Sequence, residues 1–170
     1  MLSGSGATIR VLLADDHAVV RNGLRAALNA ESDLTVVGEA RDGLEAENQA
    51  VQLNPDVIVM DISMPRRDGV QSMISIKRRL PNAKVLFLTV SEREDDLLQA
   101  VRLGADGYVL KTSDLGDVVK AVRNVAHGEA CLSPQMTATV MKELREGRRE
   151  PVLSAREREV LEFLSEGLSN

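Results

Sequence analysis

Through the first two-thirds of the chain, short apolar runs alternate with stretches in which apolar residues return every three or four positions. IRVLLA (Ile9–Ala14) is almost continuously apolar, the pattern of a strand buried on both faces of a parallel sheet. Val20, Leu24, Ala27 and Leu28 then recur at helical spacing. LTVVGEA (Leu34–Ala40) predicts a second strand, and Asp42-Gly43 opens a helix carrying Leu44 and Val51. VIVM (Val57–Met60) predicts the third strand, with Val70, Met73, Ile74 and Lys77 marking the helix behind it. KVLFLT (Lys84–Thr89) predicts the fourth strand. Leu97, Leu98 and Val101 mark the next helix, stopped at Gly104, where a left-handed cap is expected. YVL at 108–110 predicts a short fifth strand, and Leu115, Val118, Val119 and Val122 a fifth helix ending near His127-Gly128. Five such repeats imply an α/β fold, a parallel sheet with helices on both faces, because crossovers between parallel strands are right-handed.

After Gly128 the pattern changes. Ser133 as cap and Pro134 in the first helical position predict a helix to about Leu144. REGRREP then reads as a charged hinge, and LSAREREVLEFLSEG as another helix. Ser154 and Glu157 form a capping box there, Val160, Leu161 and Leu164 an apolar stripe, and Gly167 the stop. The chain thus divides into an α/β domain at 8–128, a helical linker at 129–150 and a further helical segment at 151–170.

Open parallel sheets bind ligands outside the carboxyl ends of their strands. Those ends carry Asp15 and Asp16 after the first strand, Asp61 after the third, Thr89 at the fourth and Lys111 after the fifth. Taken singly, an Asp after a strand is usually a turn or helix cap, Thr89 a β-branched strand residue and Lys111 a solvated one. Together they form an ordered set on one edge. Three carboxylates so close repel one another, and a hard divalent cation with oxygen ligands, Mg2+ foremost, resolves the conflict. Lys111 supplies a point charge for anionic oxygen and Thr89 a hydroxyl donor. An ionised Asp61 in that company is equipped to attack phosphorus and become an aspartyl phosphate.

Composition narrows the setting. At 170 residues with 44% hydrophobic content, the chain can bury one domain and a smaller appendage. No apolar run approaches the roughly 20 residues needed to cross a bilayer, and MLSGSGAT does not read as a secretory signal. Cys131 is the sole cysteine, which agrees with a reducing cytoplasm. A net charge of −5 argues against a chain built to coat nucleic acid.

VLLADDH, VIVMDISMPRRDG, VLFLTVS and GADGYVLK closely resemble the receiver domain of two-component response regulators. LSAREREVLEFLSEGLSN resembles the first part of a LuxR-type helix-turn-helix, and the combination is similar to the NarL/FixJ family. The resemblance implies a doubly wound, flavodoxin-like five-stranded sheet of order 2-1-3-4-5, followed by an incomplete all-α segment. It implies Asp61 as phosphoacceptor, Mg2+ held by Asp16, Asp61 and the backbone carbonyl of Ser63, and Asp15 acting through water. Thr89 and Tyr108 match the switch pair and Lys111 the phosphate-contacting lysine. Phosphorylation would draw Thr89 toward the phosphoryl group and let Tyr108 turn inward. A cognate sensor histidine kinase is the implied partner, with a homodimer possible and no membrane, and the chain itself is expected in the cytoplasm.

Some positions depart from the family. Thr112 follows Lys111 where many receivers carry proline and a cis peptide, and a non-proline cis bond costs roughly 2.5–4 kcal/mol. Arg66-Arg67 reads as a solvated pair, with kinase contact as the sharper option. Tyr108 on its own could be an edge residue with a wet hydroxyl. His17 reads as a residue at the start of a helix before it reads as a ligand, His127 as a partner of a helix dipole, and Cys131 as a small hydrophobe. From Lys142 onward six basic residues face seven acidic ones, not the cationic stripe that phosphate binding needs. DNA binding is therefore expected of the full-length protein, with its recognition helix beyond Asn170, and not of this chain alone. Two other functions compete: a receiver that only sinks phosphate or binds protein, and a haloacid-dehalogenase-type phosphatase. The latter usually wants an acid two residues after its nucleophile, where this chain has Ser63. A regulator, not an enzyme, is the expectation.

Overall fold

The computed structural model describes residues 6–146 together with Val160, Glu162 and Phe163. β1 (Ile9–Ala14), β2 (Leu34–Ala40), β3 (Val57–Met60), β4 (Lys84–Thr89) and β5 (Gly107–Leu110) form one parallel sheet in the order β2-β1-β3-β4-β5. This is the expected flavodoxin-like order. α1 (Ala18–Asn29), α2 (Gly43–Leu53), α3 (Gly69–Arg79), α4 (Glu94–Arg102) and α5 (Leu115–Ala126) connect and follow the strands.

Successive strand residues point to opposite faces, and both faces are covered. Leu12, Ile58, Met60, Val85 and Phe87 share a core with residues of α2, α3 and α4, whereas Val11, Leu13, Val57, Val59 and Leu86 pack with α1 and α5. The strands are unbroken apolar runs for that reason. Asp42 caps α2 by accepting from the Glu45 N–H at 2.9 Å, and Asp68 caps α3 by accepting from the Gln71 N–H at 2.9 Å. Each such cap is worth about 1 kcal/mol. Gly104 takes φ +98° just past α4, the left-handed stop that the pattern predicts.

α2 presents a different face from the one its large apolar residues suggest. Leu44 is partly exposed, and the buried positions are Gly43, Ala46, Glu47 and Ala50. Small residues let α2 lie close to α3: a Cβ at Gly43 would meet the Arg67 carbonyl oxygen at 2.2 Å and Ser72 Oγ at 2.3 Å.

The linker runs along the free edge of the sheet. Cys131 bridges Gly107 in parallel, and its carbonyl accepts from the Tyr108 N–H at 2.9 Å. Ser133 Oγ then accepts from the Met136 N–H at 3.2 Å and starts α6 (Pro134–Glu146). α6 lies on α4 through an Arg102–Glu143 ion pair and a Thr139 Oγ1 bond to Glu94 at 3.3 Å. The remainder of the hinge, Ser154, Glu157, Leu161, Leu164 and Gly167 lie outside the described residues. Val160 is helical and buried in the core that includes Ile62 and Met64, and the Phe163 ring lies 4.8 Å from Arg67 Cζ. Among the described residues no helix is long and apolar enough to cross a membrane.

Candidate functional site

The strand ladders carry the acids to one edge. The Asp15 N–H donates to the Ala40 carbonyl at 3.1 Å and the Asp61 N–H to the Ala14 carbonyl at 2.8 Å, so both residues follow directly on the paired backbone. Their carboxylates converge on one ammonium: Lys111 Nζ lies 2.6 Å from Asp15 Oδ2 and 2.9 Å from Asp61 Oδ2. All three side chains are nearly sealed from solvent, at 4%, 4% and 11% exposure. The Lys111 N–H donates to the Thr89 carbonyl at 2.8 Å, which anchors the lysine at the end of the neighbouring strand. The second oxygen of Asp61 accepts from the Ser63 N–H at 3.3 Å.

Burial pushes the Asp61 carboxyl above the ordinary carboxylate range; the Lys111 hydrogen bond and charge pull the other way, and Asp15 adds to the rise. For Lys111, burial pulls the ammonium down, but bonds to Asp15 and Asp61 outweigh it and leave it above the usual lysine value. One ammonium does not balance the acids. Asp15, Asp16, His17 and Asp61 each offer an atom within 4.8 Å of the others. A predominantly carboxylate-oxygen set with excess negative charge fits a hard divalent cation such as Mg2+.

Thr89 and Tyr108 meet at Ser91. The buried Thr89 hydroxyl accepts from the Ser91 N–H at 3.1 Å, while the Tyr108 hydroxyl donates to the Ser91 carbonyl at 3.2 Å. Tyr108 is 1% exposed, so the alternative reading of an edge residue with a wet hydroxyl does not hold. Leu97, Met136 and Thr139 line the cavity of about 380 Å3 beside it, which places α4 and α6 over the ring.

The peptide bonds of the described residues are all trans, including Lys111-Thr112; without proline the trans form keeps its full advantage. Arg66 is exposed, in the left-handed region at φ +67°. Arg67, however, is only partly exposed and is paired: its guanidinium reaches both oxygens of Glu47 at 2.9 and 3.0 Å, and Ser75 Oγ donates to the same carboxylate at 2.8 Å. This pair ties the loop after Asp61 to α2, and a buried acid within the small-residue face of α2 is the one local sign of it. His127 lies at the end of α5, with Nδ1 2.6 Å from the Arg123 carbonyl oxygen, as the dipole reading expects. Cys131 is half-buried, and burial pushes its thiol up.

Residues 11–123 match the family described as the response regulator receiver domain. The chain belongs to that family. The chain is similar to VraR of Staphylococcus aureus, a response regulator protein, with 39% identity over 165 residues, 96% of this chain and 78% of the relative. A two-component response regulator of the LuxR family from Aurantimonas matches with a TM-score of 0.76 and 32% identity, over 82% of this chain and 99% of that one. The isolated receiver domain of RcsB from Salmonella enterica serovar Typhimurium, solved in the presence of phosphomimetic BeF3−, matches with a TM-score of 0.71 and 29% identity. That match covers 78% of this chain and 99% of that chain. This receiver is therefore part of a two-component response regulator of the LuxR type.

Proposed function

We propose that this receiver, in the cytoplasm, accepts a phosphoryl group on Asp61 from a sensor histidine kinase or a small phosphodonor, with Mg2+, and so controls DNA binding by a LuxR-type reader in the full-length protein. The observation that carries this reading is the convergence of buried Asp61 and Asp15 on Lys111, beside Asp16, at the carboxyl edge of the sheet. Asp16, Asp61 and the Ser63 carbonyl would hold Mg2+, with Asp15 acting through water. Bound there, Mg2+ supplies positive charge that offsets the acids and the incoming phosphoryl oxygens.

In the transfer, an Asp61 carboxylate oxygen bonds to phosphorus while the bond from phosphorus to the donor breaks and its electron pair leaves with the donor. Lys111 already touches Asp61 Oδ2 and can pass to a phosphoryl oxygen with little movement. The product carries about −1.5 to −2 charge at neutral pH. Thr89 answers it by exchanging its contact with the Ser91 N–H for donation to a phosphoryl oxygen. Ser91 also holds Tyr108, so the exchange loosens or re-aims the ring under α4 and α6, a local event with a choice of packings. A second copy of the receiver is a natural partner for the face that this changes.

Titration of the protein with acetyl phosphate tests the reading. Mg2+-dependent addition of a single phosphoryl group, abolished in Asp61→Asn, supports it. Continuous phosphate release would indicate a phosphatase, and no modification in Mg2+ a plain interaction module.

A further inference from the structure

The first turn of α1 closes with the Arg21 N–H donating to the His17 carbonyl at 3.1 Å. Helical side chains lean toward the amino terminus, and that of Arg21 reaches back over the turn to the acid loop. Its Nη1 donates to the backbone carbonyl of Asp15 at 2.6 Å, and its Nε lies 3.4 Å from Glu39 Oε2. The side chain is 11% exposed. Neither the helix nor the ion pair accounts for this placement. The α1 dipole disfavours a cation near its amino terminus, and the shorter partner of Glu39 is Arg25, at 2.7 Å. The shortest hydrogen bond of a nearly buried guanidinium thus goes to a neutral carbonyl in the loop that carries Asp15 and Asp16.

That carbonyl belongs to the peptide joining the two acids. On its other side Asp15 is held by its N–H, which donates to the carbonyl of Ala40, the residue after Glu39. With both ends of Asp15 fixed, the direction in which Asp16 leaves the strand is fixed as well. The Asp15 carboxylate is oriented by Lys111 and by the His17 N–H. The Asp16 side chain is 33% exposed and meets a His17 ring that is itself 64% exposed, so its backbone does most of the aiming. We propose that Arg21 is a positioning residue of the divalent-cation site: it holds the Asp15-Asp16 peptide so that the Asp16 carboxylate is presented to the ion, while Glu39 steers the guanidinium from the end of β2. The proposal rests on the reading of Asp16 and Asp61 as metal-binding residues. Charge and position act in opposite directions here, which makes the role separable. Removing a positive charge beside an acidic site strengthens cation binding on its own, so weaker binding by a folded Arg21 variant reports lost positioning.

Calorimetric titration of the full chain with Mg2+, at a temperature where circular dichroism shows each variant folded, tests this together with labelling by acetyl phosphate. Arg21→Met is expected to bind Mg2+ about tenfold more weakly than the wild type and to label Asp61 at the wild-type rate once Mg2+ is saturating. Arg21→Lys keeps the charge but not the planar fork; it is expected to lose about threefold and carries the test if Arg21→Met does not fold. Arg25→Met removes a charge whose contacts are to Glu39 and Asn22, and is expected to bind Mg2+ at least as tightly as the wild type. Unchanged or tighter binding by the Arg21 variants overturns the proposal, as does equal weakening in Arg25→Met or a slower saturated rate with intact affinity. Failure of the wild type to bind Mg2+, or undiminished binding by Asp61→Asn, overturns the metal-site reading itself.

Discussion

Lys111→Met removes the ammonium that touches both Asp15 and Asp61 while keeping much of the side chain's apolar stem. At 2.6 and 2.9 Å, with an effective dielectric near 20, each contact supplies about 6 kcal/mol of gross attraction. Desolvating three groups that end at 4%, 4% and 11% exposure consumes most of it. Deleting one partner of a buried pair leaves the other charges uncompensated and costs roughly 3–5 kcal/mol. The low end applies here, because Asp61 can relieve the strain by taking up a proton. Urea unfolding in EDTA, followed by far-ultraviolet circular dichroism at neutral pH, should show a loss of about 3 kcal/mol. Adding Mg2+ at about 100 times its Kd should restore about 2.7 kcal/mol to the variant, and more than the wild type gains, because no lysine competes with the ion. A variant within about 1 kcal/mol of the wild type in EDTA, with equal Mg2+ stabilisation of both proteins, would refute the claim that the Lys111 ammonium offsets part of the charge of Asp15 and Asp61.

Gly69→Ala would place a Cβ 2.2 Å from the Asp61 carbonyl oxygen and displace the backbone of Asp61; a loss of about 1–3 kcal/mol in unfolding free energy by urea and slower labelling by acetyl phosphate are expected. Arg67→Ala leaves the buried Glu47 carboxylate with Ser75 as its remaining hydrogen-bond donor in that network and should cost about 2 kcal/mol, the full buried-pair value being reduced by the partial exposure of Arg67. A double-mutant cycle with Glu47→Gln should recover most of that loss as coupling. The raised pKa of Asp61 means that folding favours its protonated form. Its contribution to the stability of the metal-free protein is therefore full below the unfolded value of 3.8 and is lost as pH rises through the folded value. Asp61→Asn should flatten that slope in urea midpoints taken from mildly acidic to neutral pH.

The strands and their order were legible because helices cover both sheet faces, which writes each strand as a plain apolar run. The acids and Lys111 were legible because sheets of this kind concentrate ligands at strand ends. α2 was legible as a helix but not in its orientation. Periodicity gives weight to large residues such as Leu44, whereas the close approach of α2 to α3 selects Gly43, Ala46 and Ala50. Arg67 looked solvated because its partner Glu47 lies 20 residues away in the chain, beyond any local pattern. The burial of Tyr108 depends on the linker and on α6, whose contact with α4 joins residues 41 positions apart. His17 could be placed at the start of α1 from the backbone pattern alone, but the direction of its ring depends on both carboxylates being in place.

Reduction of the phosphodonor-treated protein with borohydride, which converts an aspartyl phosphate to homoserine, followed by tandem mass spectrometry, tests the central claim most directly. Homoserine at position 61 alone, formed in Mg2+ and absent in EDTA, is the predicted result. Homoserine at Asp15 or Asp16, or a chain left unmodified in saturating Mg2+, would contradict the account.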